Sequence, residues 1–181
     1  MNWQITVDLL VGILIPVLFA LLFALGKVSK REIAFFITGF IIGAAFEFFI
    51  WYRGSSFFYI IMEWPLPWYT YYLCHSLWDA GLFMAGYYLT GIVLQKPRAN
   101  LCTIFDWREP ALMTAWGAVT AFVVELSGNG IIWQYVPQPV NPVWISINGT
   151  GYTVFIQLVW LVVPSVFYFL CLAGNRFKSG H

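Results

Sequence analysis

The sequence predicts an all-α integral membrane bundle of five transmembrane helices, and three observations predict it. Of 181 residues, 61% are hydrophobic and only 9% charged, against about 25% charged in a usual soluble domain. Mean hydropathy is +0.77. Apolar runs long enough to cross hydrocarbon recur along the chain, separated by short segments that hold nearly all the basic residues. A soluble core of this size cannot hide so many Phe, Trp, Leu and Ile side chains, whereas lipid accepts them without a partner. A single domain over 1–181 is expected, with no internal repeat and no low-complexity segment.

The first apolar run, residues 5–25, is too long for a signal-peptide core and has no basic stretch before it, so it reads as a retained span. Gly26 closes it. In "SKRE", Ser29 caps the next helix and Glu32 reaches back to complete a capping box. Span two therefore covers 30–52, about 34 Å of helix, enough to cross. "RGSSFFYIIMEWPLPWYTYY" follows, and its prolines and dense aromatics suit an interfacial segment, with residues 57–72 a candidate lid. Span three covers 73–94. Asp106 and Glu109 offer a second capping box, and Pro110 falls in the first turn of span four, 107–126, where its missing N–H does little harm. "SGNG" ends that span. A loop carrying Pro137, Pro139 and Pro142 leads to span five, 152–172, which Pro164 is expected to kink.

Basic residues divide unevenly between the two sides. Lys27, Lys30, Arg31, Lys96, Arg98, Arg108, Arg176 and Lys178 fall on one side and Arg53 alone on the other. Cytoplasmic loops carry the Lys/Arg excess, which places the N-terminus outside and the C-terminus in the cytoplasm.

With directions assigned, Glu47, Asp79 and Glu125 fall in the outer third of a slab of ~30 Å, with His75 one turn outward of Asp79 and Gln157 at a comparable depth. A carboxylate in hydrocarbon costs at least ~2.5 kcal/mol, so such groups face the bundle interior and mark a functional site. His75 and Asp79, four residues apart, share one helix face. They form either part of a polar pocket or a local pair that ties span three to a neighbour. Glu125 is close enough to "SGNG" that solvation at the interface also explains it. Glu47 is flanked by Phe46, Phe48 and Phe49 with no basic residue within a turn, and a carboxyl buried that way favours its neutral form.

A protonated carboxylic acid in an aromatic cavity is suited to protonating an unreactive carbon–carbon double bond. Aromatic faces then stabilise the cation, and 20% of the residues are Phe, Trp or Tyr. Trp51, Trp78 and Trp160 lie in spans, although aromatic richness also serves membrane belts. Cys74, Cys102 and Cys171 show no paired spacing, so buried thiols are expected rather than disulfides or zinc ligands. One histidine is thin for a metal site, and neither a metal nor a cofactor is expected. Asn148-Gly-Thr150 is a glycosylation sequon, meaningful only in a eukaryotic lumen.

"FIQLVWLVVP" at 155–164 resembles the last span of the emopamil-binding (EXPERA) family, and "GFIIGAAFEFFIWY" at 39–52 is similar to that family's carboxylate-bearing second span. Glu125 falls where its fourth span carries an acid. The family includes sterol isomerases that protonate a ring olefin and proteins that bind lipophilic amines. The resemblance implies Glu47 as acid or cation stabiliser, Gln157 as a polar contact and Trp160 as the cation-facing ring. Two positions depart from it: Gly43 stands where the isomerases place a histidine, and their third-span glutamate has no aligned counterpart unless Asp79 replaces it. "AFEFFIW" is also similar to a segment of fungal membrane terpene cyclases, which have about seven spans.

The leading expectation is an isomerase or cyclase acting on an isoprenoid or sterol-like lipid, with Glu47 and Asp79 as acid and base, His75 tuning Asp79, and Glu125 in the same site. Phe46, Trp51, Trp78, Trp160 and Gln157 are the candidate substrate contacts. Two alternatives stay open: a non-catalytic protein binding a lipid or lipophilic amine, and an accessory subunit of a membrane complex. A transporter is disfavoured because five spans cannot form two equal inverted repeats. Expected partners are a lipophilic small molecule and membrane lipid, with no nucleic acid, and a homodimer is left open.

Overall fold

The computed structural model describes residues 3–179, with side chains through Arg176; Lys178, counted above among the basic residues, lies outside the described side chains. Five long helices dominate: α1 (Trp3–Ala24), α2 (Lys30–Arg53), α3 (Tyr69–Val93), α4 (Arg108–Gly128) and α5 (Val154–Ser179). Four short strands, β1 (Phe58–Ile60), β2 (Trp133–Tyr135), β3 (Val143–Ile147) and β4 (Thr150–Thr153), lie in the α2–α3 and α4–α5 connections. By length and composition α1, α2, α4 and α5 can each cross a membrane. The expected third span, α3, is long enough at 25 residues but is not among them. Its polar groups, Asp79 and His75 with Ser76 and several tyrosines, lower its hydropathy.

Ser29 caps α2 as expected: its side chain accepts from the Glu32 N–H, and Glu32 accepts from the Ser29 N–H at 2.8 Å. Helix α3 begins four residues before the expected 73, with Trp68 at its N-cap, and Tyr71 and Tyr72 turn inward as part of the core. The second expected capping box does not form. Asp106 instead holds the Arg108 guanidinium at 2.8 Å, while Glu109 is fully buried, paired with Lys96 and accepting from the Cys102 N–H at 2.9 Å. Helix α5 continues unbroken through Pro164.

Small residues set the helix contacts. A Cβ placed on Gly39 would lie 3.2 Å from the Ala80 Cα, and one on Gly43 2.8 Å from the Asp79 Cβ, so glycines four apart bring α2 onto α3. Gly117 admits the Pro164 ring and the Trp160 carbonyl, the acceptor that a proline four residues later leaves without its helical N–H. Helix α1 lies mainly on α3, and α4 packs on α5 and α3.

The loops expected between spans contain two small antiparallel sheets instead. Strands β1 and β2 pair with Phe58 opposite Tyr135 and Ile60 opposite Trp133. Strands β3 and β4 form a hairpin closed by Asn148 and Gly149, with φ of 51° and 81°. Both values lie in the left-handed region that a two-residue Asn-Gly hairpin turn requires. These strands close one end of the bundle, the cap end. Basic residues of the loops gather at the other: Arg31 donates to the Ala99 carbonyl and the Tyr87 hydroxyl, and Arg98 reaches Glu32 at 3.3 Å.

Candidate functional site

All five helices contribute to one cavity of about 360 Å³ beneath the cap. Helix α3 supplies Tyr71, His75, Trp78, Asp79 and Leu82, a stripe spaced by three and four residues that keeps one face turned inward. Helix α4 does the same with Ala121, Val124, Glu125 and Gly128. Asp8 comes from α1, Phe46 and Glu47 from α2, and Trp160 from α5. Phe58 of β1 and Trp133 and Tyr135 of β2 form the roof, all three buried. Gly128 makes the roof possible, because a Cβ there would lie 2.0 Å from the tip of the Trp133 ring.

Four carboxyl groups, on Asp8, Glu47, Asp79 and Glu125, are buried at this cavity. Counted from the cap ends of their helices at 1.5 Å per residue, they lie roughly 5–15 Å deep. Glu47 is within electrostatic reach of His75, Asp79, Asp8 and Glu125. No lysine or arginine is among the described lining residues. Among the described lining residues the only basic group is His75, whose Nε2 meets Asp8 Oδ2 at 2.9 Å. Its ring stacks on Tyr71 at 4.2 Å and meets the Trp133 edge at 5.5 Å. The Trp78 indole N–H donates to the Asp8 backbone carbonyl at 3.0 Å, fixing α1 to α3 at the same point. The Tyr71 hydroxyl is buried without a hydrogen-bond partner, and the buried Trp133 indole N–H lies beside Glu125. Buried polar groups left this way in a cavity wall are what a ligand or water would satisfy.

Seven of the expected site residues line this cavity: Glu47, Asp79, His75, Glu125, Phe46, Trp78 and Trp160. Trp51 and Gln157 do not. Trp51 turns to the surface and stacks on Trp68 at 4.7 Å, and on α5 the neighbouring Ile156 takes the inward position instead of Gln157. The expected pairing of His75 with Asp79 is corrected as well, since the partner is Asp8, 67 residues away in sequence. Gly43 has no room for the histidine that the EXPERA resemblance would put there, because the Asp79 carboxyl already occupies that space.

Asp8 was the residue that sequence reasoning missed, together with the roof pair Trp133 and Tyr135. Among the described residues, no group of three or more His, Cys, Asp or Glu is arranged to hold a metal ion. No protein-family profile, curated protein or solved structure matches this chain.

Proposed function

We propose that the chain is a multi-pass membrane protein in which all five helices cross, N-terminus outside, and that it isomerises or cyclises a lipid-soluble olefin by proton transfer. The observation that carries this reading is the cavity itself: four buried carboxyls and one imidazole within aromatic walls, with no lysine or arginine. Glu47, carrying a proton, delivers it to one carbon of a double bond, forming a C–H bond and leaving the other carbon cationic. The faces of Trp78, Trp160 and Tyr71 and the remaining carboxylates stabilise that cation, each face by ~2 kcal/mol or more when desolvated. Loss of a proton from a neighbouring carbon to Asp79 forms the shifted double bond. Attack by a second double bond of the same molecule, before that loss, gives a ring. Asp79 then releases its proton to solvent and Glu47 takes one up from solvent, both by exchange through the carboxyl cluster, and the protein is unchanged.

A second reading is favoured by the same charge imbalance: four acids against one imidazole would also hold a lipophilic amine without any reaction. Incubation of the reconstituted protein with extracted membrane lipids, followed by mass spectrometry, separates the two. Proton-transfer catalysis predicts a new isoprenoid isomer that Glu47→Gln and Asp79→Asn abolish. A protein that forms no product, yet binds a long-chain tertiary amine in an Asp79-dependent way, is a binding protein.

A further inference from the structure

We propose that the cavity is filled sideways, from the hydrocarbon of the bilayer, through a mouth between α1 and α4, and that its ligand is a long-chain isoprenoid whose tail stays in that mouth. Every lining residue that is exposed belongs to one of these two helices: Trp3 and Val7 on α1, Val123 and Ser127 on α4. All other lining residues are buried or half-buried, and the roof of Phe58, Trp133 and Tyr135 shuts the cavity from the cap end. Helix α3 lies between α1 and α4 and floors the opening with Trp78 and Leu82.

Gln4 and Ser127 stand at the cap end of the rims, and below them the rims are apolar. Val7 and Val123 are 46% and 55% exposed on helices that are both long and apolar enough to cross a membrane. Each sits about 6–8 Å in from the cap end of its helix at 1.5 Å per residue, so the mouth reaches below the interface into the acyl region. A molecule dissolved in the bilayer meets such an opening directly. At about 360 Å³ the cavity is at the small end of ligand pockets, which run from about 300 to 1,000 Å³. It therefore encloses one end of a long chain, beside the carboxyls, and leaves the rest between Val7 and Val123.

This inference rests on the cavity being the ligand site proposed above, and its test needs no turnover. The full chain in nanodiscs is irradiated with a geranylgeraniol analogue that carries a diazirine along its chain, and the labelled residues are mapped by mass spectrometry. Label on Trp78 or Leu82, inside the cavity, is expected, reduced about tenfold by Val123→Trp and by Val7→Trp. Val162→Trp, equally lipid-facing at 59% exposure but remote from the mouth, leaves it unchanged. Melting temperature confirms that the variants fold, and the two blocking substitutions act from opposite walls. Cavity label that neither block reduces overturns the sideways route and leaves the cavity reading standing. Label confined to outer helix faces overturns both.

Discussion

Replacing Asp8 with asparagine removes the carboxylate from the Asp8–His75 contact in the cavity wall, 2.9 Å between side chains that are only 10% and 15% exposed. Hydrogen bonds to charged groups contribute about 1.5–3 kcal/mol net, and asparagine can still bond to the imidazole, so a loss of about 2 kcal/mol is expected. For a chain of this size each kcal/mol lowers the melting temperature by about 2–4 °C, which puts Asp8→Asn some 4–8 °C below the parent. The assay is thermal unfolding in detergent across a double-mutant cycle with His75→Ala. A coupling of at least about 1.5 kcal/mol is expected for Asp8 with His75, and less for Asp79 with His75. Additivity of Asp8→Asn and His75→Ala, or stronger coupling to Asp79, would show that the Asp8–His75 bond does not organise the cavity.

Other outcomes follow from single contacts. Gly128→Ala drives a Cβ into the Trp133 ring, 2.0 Å from its tip, and should lower stability by about 1–3 kcal/mol and abolish ligand retention, as melting temperature and lipid co-purification would report. Trp51→Ala, outside the cavity, should leave ligand binding unchanged in the same co-purification assay. Lys96→Gln strips the ion pair from the fully buried Glu109 and should cost about 3 kcal/mol, read as a fall in melting temperature. Hydrogen bonding to the Arg108 guanidinium holds the Asp106 carboxyl down at about 2, below the ordinary 3.8. The pair's contribution is therefore complete above 3.8 and lost only as pH falls through about 2, so Arg108→Gln should leave the shape of a melting-temperature profile between pH 5 and 8 unchanged. Cysteines introduced at Ala99 and Asn148 should be labelled from the cytoplasmic and outer sides respectively, and the reverse pattern would invert the proposed orientation.

Much of this fold was legible because hydrocarbon imposes a one-dimensional code of long apolar runs broken by charged loops. Ser29 and Glu32 marked the start of α2 for a local reason, as capping depends on residues three apart. The same pattern at Asp106 and Glu109 misled, since Lys96 and the Cys102 N–H, both outside the helix, compete for Glu109. Asn148-Gly149 belongs to a sequon, but Asn-Gly flanked by "VWISI" and "TGYT" is also a hairpin signal, and the hairpin is what forms. The spacing of Gly39 and Gly43 likewise carried the α2–α3 contact.

Within the site, Glu47, Asp79 and Glu125 were found by asking what a carboxylate does in an apolar run. The same question put to Asp8, the one charged residue of the first span, would have found the fourth. Its partner was not legible. Sequence spacing pairs His75 with Asp79 on one helix, while only packing brings α1 across α3 to supply Asp8.

The central claim, that this cavity moves a proton onto carbon, is tested most directly by the fate of solvent hydrogen. The reconstituted protein is incubated in D2O with extracted membrane lipids, and the isoprenoid products are weighed by mass spectrometry. Proton transfer predicts a product heavier by one deuterium, absent with Glu47→Gln. A product without deuterium, or the same incorporation with Glu47→Gln as with the parent, would contradict it.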